Sequence, residues 1–211
     1  MARRRKEDAQ KTRTRILASA LSLFAKKGYE YTTFTDIAAR LKMTKGAVYW
    51  HFESKEVLLM ELVRLAFEKF HRQIDELMPH GELTFPAVAD MMVQTALKVV
   101  QDPQGTAFFK LMKCQIKWSD ASMAKVREDL LSNATHGPLQ AFKDAVRSDI
   151  AAGRVRDSVD AEEVAVVAIA LWDGLVQARI DRFLLRDLEQ TLRHSYEAIW
   201  TRIRIKEPGN G

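Results

Sequence analysis

Three helix-start signals crowd together near the beginning of the chain, at Thr33, Thr44 and Ser54, and their spacing constrains the fold more than any other feature. Thr33-Phe34-Thr35-Asp36 has the pattern of a capping box, with Ile37, Ala38 and Leu41 as the apolar face of the helix that follows. That helix has room for only about two turns before Thr44 caps the next one, over roughly 45–52. Helices this short bury too little to stand alone, so a longer element must brace them. It lies just upstream. Ile16, Leu17, Ala20, Leu21 and Phe24 form one apolar stripe, Lys26 and Lys27 oppose the negative helix end, and Gly28 takes the C′ position. The stripe predicts a first helix over 9–27. Two short helices across a tight turn, braced by a third, make a helix-turn-helix over about 33–52.

The third helix has two unlike faces. At ~100° per residue, Val48 and Phe52 share one side and pack toward Ile37, Leu41 and the first helix. The other side carries Lys45, Tyr49, Trp50 and His51, with small Gly46 and Ala47 between them. Small residues let a backbone come close to DNA, and Lys45 near the helix start can reach a guanine edge or a phosphate. Tyr49 and His51 can donate to phosphate oxygens, and Trp50 can lie against sugars or thymine methyls. One of the two large aromatics could instead pack in the core; both doing so contradicts the wheel.

Charge follows the same division. Residues 1–55 hold 13 Lys+Arg and 5 Asp+Glu, a net of +8, and the remaining 156 residues hold 20 and 23, a net of −3. A basic head on a mildly acidic body suits a nucleic-acid reader, although a solvated basic tail would give the same count.

Only 9 Gly and 5 Pro interrupt the chain, which favours long helices. A fourth runs from Ser54 through Val57, Leu58, Glu61, Leu62, Leu65, Phe67 and Phe70 to Met78, before Pro79-His80-Gly81 stops it. Further helices fall near 84–101, 104–117, 120–151, 160–185 and 188–205, with Gly137-Pro138 kinking or splitting the third of these. No period-2 strand pattern appears. The expected fold is all-α, about nine helices: an N-terminal three-helix helix-turn-helix domain, 9–69 with the start of the fourth helix, and a larger helical ligand-binding and dimerisation domain, 70–206. The single Cys114 fits a reducing compartment. No apolar run nears the ~20 residues of a membrane span, and no signal-peptide core follows Arg3-Arg4-Arg5-Lys6, so a cytoplasmic protein without a membrane partner is expected.

The order Thr12-Arg13, Ile16-Leu17, Leu23-Phe24, Gly28-Tyr29, Thr32-Thr33, Ile37-Ala38 and Thr44-Lys45-Gly46-Ala47-Val48-Tyr49-Trp50-His51-Phe52, then Lys55, closely resembles the TetR family of bacterial repressors over about residues 9–69. The opening Met-Ala-Arg-Arg-Arg-Lys-Glu-Asp-Ala and Trp50 resemble the AcrR/TtgR-type branch, which controls multidrug efflux pumps. The resemblance implies that Thr33 caps its helix and touches a phosphate, that Thr44 caps the recognition helix, and that Lys45, Gly46 and Ala47 face bases. It also implies that Tyr49 and His51 grip the backbone and that Lys55 holds a phosphate. The Arg3–Lys6 arm would lie along a groove, or stay a solvated tail without DNA. Lys42 departs from the pattern, standing where that branch often has glycine; either the turn is reshaped or Lys42 is strained.

In the body, Met92, Phe108, Met112, Gln115, Trp118 and Phe142 offer soft and aromatic surface for a drug-sized apolar pocket, or ordinary core. Asp173, in an apolar helix, could anchor a ligand, pair with Arg179 or cap a neighbouring helix. Trp172, Val176, Ile180 and Phe183 form one stripe, and Leu192, Tyr196 and Ile199 another. Paired about a two-fold axis they would make a four-helix dimer interface, as the last two helices do in the resembling family.

Catalytic signatures such as G-x-S-x-G, H-E-x-x-H or a P-loop are absent, and the five histidines, at 51, 71, 80, 136 and 194, have no metal-ligand spacing. No metal, cofactor or enzymatic activity is expected. The chain reads as a homodimeric, ligand-released repressor of a palindromic operator in double-stranded DNA, the ligand small and hydrophobic. The rivals are a sequence-blind architectural DNA-binding protein and a helical enzyme, the latter without a catalytic constellation.

Overall fold

Gly28 ends α1 (Ala2–Lys27) in the left-handed region, φ 94°, with its N–H on the Phe24 carbonyl at 2.9 Å. The helix begins well before residue 9. Ala, Arg, Lys and Glu, good helix formers, run through its first turns, and no capping residue interrupts them. The computed structural model describes residues 2–78, 81–116, 119–124, 128 and 137–205, with backbone alone at 2–6, 71, 114, 115 and 122. Beyond α1 come α2 (Phe34–Leu41), α3 (Lys45–His51), α4 (Lys55–Leu77), α5 (Phe85–Gln101) and α6 (Pro103–Lys110). Then follow α7 (Pro138–Ala151), α8 (Ala161–Ile180) and α9 (Leu188–Ile203). Among the described residues there is no strand, only an isolated bridge between Val155 and Arg204.

The chain divides into two compact units. The first comprises 1–70 and 102–127, the second 71–101 and 128–211, so α4 starts in one and ends in the other. In the first unit α1 packs on α2 and α6, and α2 packs on α3. Ile16, Phe24, Ile37, Val48, Phe52, Leu58 and Leu59 fill its core, each with 1% or less of its surface exposed. Asp102 caps α6 by accepting from the Gln104 N–H at 3.0 Å, with Pro103 at the first helical position. The helix expected over 104–117 gives way after Lys110 to a π turn, Leu111–Gln115.

In the second unit Gly137-Pro138 starts a helix rather than kinking one, Pro138 standing at N1 where its missing N–H costs nothing. Of the helix expected over 120–151, the described part is a 3-10 turn, Ala121–Met123, and α7; residues 125–127 and 129–136 lie outside the described residues. Phe85, Phe142, Tyr196 and Trp200 cluster between α5, α7 and α9, with ring centroids 5.4–6.3 Å apart. The wholly buried Asp149 accepts from the Phe85 N–H at 2.8 Å and from Arg154 Nε at 2.7 Å, and Arg154 also reaches Glu82 at 2.6 Å. This clasp ties the start of α5 to the end of α7.

The residues of the expected dimer stripe differ in burial. Trp172, Val176, Leu192 and Tyr196 are 0–6% exposed within one chain, and the Trp172 indole N–H donates to the Met92 carbonyl at 2.8 Å. The stripe of largest apolar residues is the one α8 and α9 turn onto α5 and onto each other. Ile180 and Ile199 are half-buried. Phe183, 81% exposed, has left the helix: α8 stops at Ile180 because Arg182 turns left-handed, φ 62°, and the Phe183 and Leu184 N–H groups fold back onto the Ala178 carbonyl. The face of α8 left to solvent instead carries Val166, Val167, Ala170 and Gly174.

Candidate DNA-binding surface

The capping box at the start of α2 closes as its sequence implies. Thr33 Oγ1 accepts from the Asp36 N–H at 3.2 Å, and the Asp36 carboxylate accepts from the Thr33 N–H at 2.9 Å and its hydroxyl at 2.7 Å. Lys27 Nζ adds a 2.6 Å ion pair to the other carboxylate oxygen. The Lys27 and Thr33 contacts hold Asp36 well below the usual carboxylate range. Thr33 therefore spends its hydroxyl proton inside the protein.

Lys42 ends α2 in the left-handed conformation, φ 56° and ψ 45°. Its N–H bonds to the Ala39 carbonyl at 3.2 Å and that of Met43 to the Ala38 carbonyl at 3.0 Å, which is a glycine-type cap built on a lysine. The turn closes as a left-handed cap, and the Lys42 backbone bears the strain. Thr44 then caps α3 by accepting from the Ala47 N–H at 3.1 Å.

The faces of α3 sort as the wheel requires. Val48 is inside; Lys45, Gly46, Tyr49 and Trp50 are exposed, and Ala47 and His51 are half-buried. Trp50 keeps 74% of its surface in solvent and Tyr49 48%. Tyr49 is partly anchored, edge-on to Phe34 at 4.8 Å, with the Lys45 ammonium 5.6 Å from its ring centre. A Cβ placed on Gly46 would come no nearer to another group than 3.9 Å, to Thr44 Oγ1. Nothing in the protein itself demands glycine there. His51 lies edge-on to Trp50 at 4.6 Å, and burial, then the charge of Arg13, hold its imidazole below the ordinary range.

Lys55, to which the resemblance assigns a phosphate, has partners within the protein as well. Its ammonium donates to the Tyr29 and Glu30 carbonyls and lies over the Tyr29 ring, tying α4 to the α1–α2 loop. Sequence reasoning passed over Arg13, whose guanidinium stands 4.3 Å from the Phe52 ring centre and 3.6 Å from Glu61. The available signal was its place one turn ahead of Leu17 on the buried stripe of α1.

Met92 and Phe142 are 1% and 0% exposed and serve as packing in the second unit, where Asp173 is half-buried on α8. Phe108 and Met112 are half-buried in the first unit, Phe108 edge-on to Phe67 at 5.9 Å. The Gln115 side chain and Trp118 lie outside the described residues. A groove of about 270 Å³ runs beside α5 and α9, lined by Phe85, Asp90, Arg193 and Trp200 among others, and neither Met92, Phe142 nor Asp173 lines it. Among the described residues no three His, Cys, Asp or Glu group as a metal site would, and no helix is long and apolar enough to cross a membrane.

A short exposed helix bearing Lys, Tyr, Trp and His donors, set by two caps and braced by a basic helix, defines a helix-turn-helix reading head of the DNA-binding class. Residues 16–62 match the model for bacterial regulatory proteins of the tetR family. The HTH-type transcriptional regulator TtgR of Pseudomonas putida is 30% identical over 184 residues, 84% of each chain. The probable acrEF/envCD operon repressor of Escherichia coli (strain K12) is 27% identical over 181 residues, 84% of this chain and 80% of that one. Among solved structures, NalD, the secondary repressor of the MexAB-OprM multidrug efflux pump in Pseudomonas aeruginosa, superposes with a TM-score of 0.73 at 21% identity, covering 95% of this chain and 100% of its own. A SmeT–triclosan complex gives 0.71 at 20% identity, covering 93% of each. The chain belongs to the tetR family of bacterial regulators, helix-turn-helix proteins that control transcription.

Proposed function

We propose that this protein is a homodimeric repressor that holds a palindromic operator and leaves it when a small hydrophobic ligand binds, controlling an efflux system as its relatives' names indicate for them. Residues 9–69 form the DNA-binding domain and 70–206 the ligand-binding and dimerisation domain, and the dimer works in the cytoplasm, where the operator is. The observation that carries the reading is the outer face of α3: Trp50 largely and Tyr49 about half in solvent, around a glycine that packing does not require. Thr33, Thr44, Lys45, Gly46, Ala47, Tyr49, Trp50, His51 and Lys55 make up the DNA surface, Lys55 through the ammonium donor its two carbonyls leave over.

Two recognition helices ~34 Å apart enter successive major grooves of a palindrome. The two-fold contact uses the outward faces of α8 and α9, α8 presenting Val166, Val167, Ala170 and Gly174 as a small apolar surface. A triclosan-sized apolar molecule favours a conformer whose recognition helices no longer match the grooves, a coupling of ~1–3 kcal/mol that weakens operator binding roughly 5- to 150-fold. That α6 packs with α1 in the same unit as the head gives such a ligand a mechanical route to it.

The test is titration of the protein against DNA upstream of its own gene and of the neighbouring gene, at two salt concentrations, with scrambled competitor and with triclosan as an apolar probe. Tight binding that survives competitor is the expected result. Weak, sequence-blind binding abolished by modest salt would leave an architectural protein instead.

A further inference from the structure

Lys45 stands where its own helix gains nothing from a cation. It is the first residue of α3, where the positive end of the helix dipole opposes it, and no acidic residue shares that first turn. Its ammonium lies 5.6 Å from the ring centre of Tyr49, four residues along the same side of the helix and within range of cation–ring attraction. Tyr49 is held in turn. Its ring meets that of Phe34 edge-on, with centroids 4.8 Å apart and planes at 66°. Phe34 opens α2 and is 5% exposed. It directly follows Thr33, whose capping box with Asp36 fixes that end of the helix. Phe34, Tyr49 and Lys45 thus form one stack that runs from the core of the head to its surface.

We propose that Phe34 is a positioning residue for base recognition, which through the Tyr49 ring aims the Lys45 ammonium at a guanine edge in the major groove. The inference rests on the reading of α3 as the DNA-contacting helix. Lysine carries a compact charge on a four-carbon stem with large rotamer freedom. A phosphate can be reached from many of those rotamers and needs no aim. The O6 and N7 acceptors of guanine are fixed points, and a stem already confined loses less freedom in reaching them. Guanine is the base because its major-groove edge offers two acceptors and no donor, whereas the amino group of adenine would oppose the ammonium. A cation resting on a ring also keeps its N–H donors unspent, so Lys45 can still donate to the base. Gly46, where the fold has room for a Cβ it does not use, and small Ala47 let the backbone come close enough for the stem to span the gap.

The test uses the full-length protein and operator fragments in which each guanine of a half-site is replaced in turn by 7-deazaguanine, which lacks the N7 acceptor. Wild type, Lys45→Met, Phe34→Leu, Tyr49→Leu and Tyr49→Phe are compared by affinity, salt slope and thermal melting. In the wild type one such replacement per half-site is expected to cost roughly fivefold, the lower end of what a base contact discriminates. In Lys45→Met the same replacement costs nothing. Phe34→Leu and Tyr49→Leu lose most of the discrimination while their salt slopes stay at the wild-type value. Tyr49→Phe keeps the ring and with it the discrimination, although affinity falls at every sequence with the lost hydroxyl. A merely structural role for Phe34 would lower melting and affinity but leave the ratio between guanine and deazaguanine operators untouched. That unchanged ratio in both Phe34→Leu and Tyr49→Leu overturns the inference, as does a Lys45→Met whose only defect is a smaller salt slope. Should Phe34→Leu not fold, Tyr49→Leu, at a half-exposed position, decides. The stack is also judged without DNA, by NMR: the ring current of Tyr49 displaces the Lys45 ε-methylene resonance upfield, and Phe34→Leu returns it toward the position of a free lysine. A wild type that binds no operator defeats the functional reading, whereas an undisplaced resonance in a protein that binds its operator defeats this inference alone.

Discussion

The Lys55 ammonium donates to the main-chain carbonyls of Tyr29 at 2.9 Å and Glu30 at 3.2 Å, and rests 4.4 Å from the centre of the Tyr29 ring. A residue that resembles a phosphate clamp is therefore also the pin between α4 and the α1–α2 loop. Lys55→Met is expected to weaken both functions: operator affinity falls, and unfolding free energy drops by about 1–3 kcal/mol, the cost of losing charged hydrogen bonds to carbonyls. Lys45→Met provides the contrast. Lys45 is exposed, its ammonium over the Tyr49 ring, so urea melts should nearly superimpose on wild type while the salt slope of DNA binding falls by about 0.9 per lost phosphate contact, or specificity relaxes if it reads a base. Equal destabilisation by both variants would refute this division of labour.

Gly46 separates packing from function. Because a Cβ there meets nothing nearer than 3.9 Å, Gly46→Ala should keep the fold and gain up to about 1 kcal/mol from better helix propensity. The same methyl group would stand between α3 and the floor of a major groove. Higher melting temperature with weaker operator binding is the expected pair of results. Unchanged affinity would remove Gly46 from the DNA surface.

Legibility in the sequence followed how local each determinant is. Caps and apolar period are local, so Thr33, Thr44, Val48 and the exposed Trp50 could be placed from the chain alone. Which of two helix faces meets a partner is not local. The stripe Trp172–Val176 and the pair Leu192–Tyr196 look like an interface by size, but within one chain α5 and α7 already cover them. A helix end is also decided by a single backbone angle, and Arg182, with no glycine to announce it, ends α8 before Phe183. Which body side chains would meet a ligand is the least legible, since large apolar side chains in a pocket wall and in a core have the same sequence signature.

Lys42 holds a conformation that L-residues rarely adopt. Lys42→Gly should stabilise the protein by about 0.5–1 kcal/mol, the relief of left-handed strain less the greater freedom glycine brings to the unfolded chain. Guanidinium melts measure it. A loss of stability would mean that the lysine side chain contributes contacts outweighing its backbone strain.

The acid limb of stability should report the capping box. Asp36 is held low in the folded protein by Lys27 and Thr33, so the unfolded state binds its proton first as pH falls. Its contribution is fully present above the ordinary aspartate range, near 3.8, and is lost below it. His51 adds a second loss of the same sign, beginning near 6.5, because its depressed imidazole must be protonated as the chain unfolds. Asp36→Asn should destabilise at neutral pH, and its gap to wild type should narrow progressively as the pH falls below about 3.8, closing only where the folded carboxylate itself takes up its proton, well below that. Parallel stability curves down to pH 2 would show that the carboxylate charge contributes nothing.

Lys69 near the end of the first unit's stretch of α4 pairs with Asp102 at 2.5 Å, and Asp102 in turn caps α6. One carboxylate thus serves a helix start and an ion pair between the two helices by which a ligand in the body would move the head. Asp102→Asn separates the roles, because asparagine caps as well as aspartate while the charge is lost. Half-exposed ion pairs contribute about 0–1 kcal/mol, so melting should barely change, and operator affinity without ligand should stay within about twofold. What should change is release: the concentration of an apolar probe such as triclosan needed to free the DNA shifts, because the helices no longer move as one. If the release curve of Asp102→Asn overlays that of the wild type while its affinity for free probe is unaltered, the coupling runs through the packing of α6 on α1 and not through this ion pair.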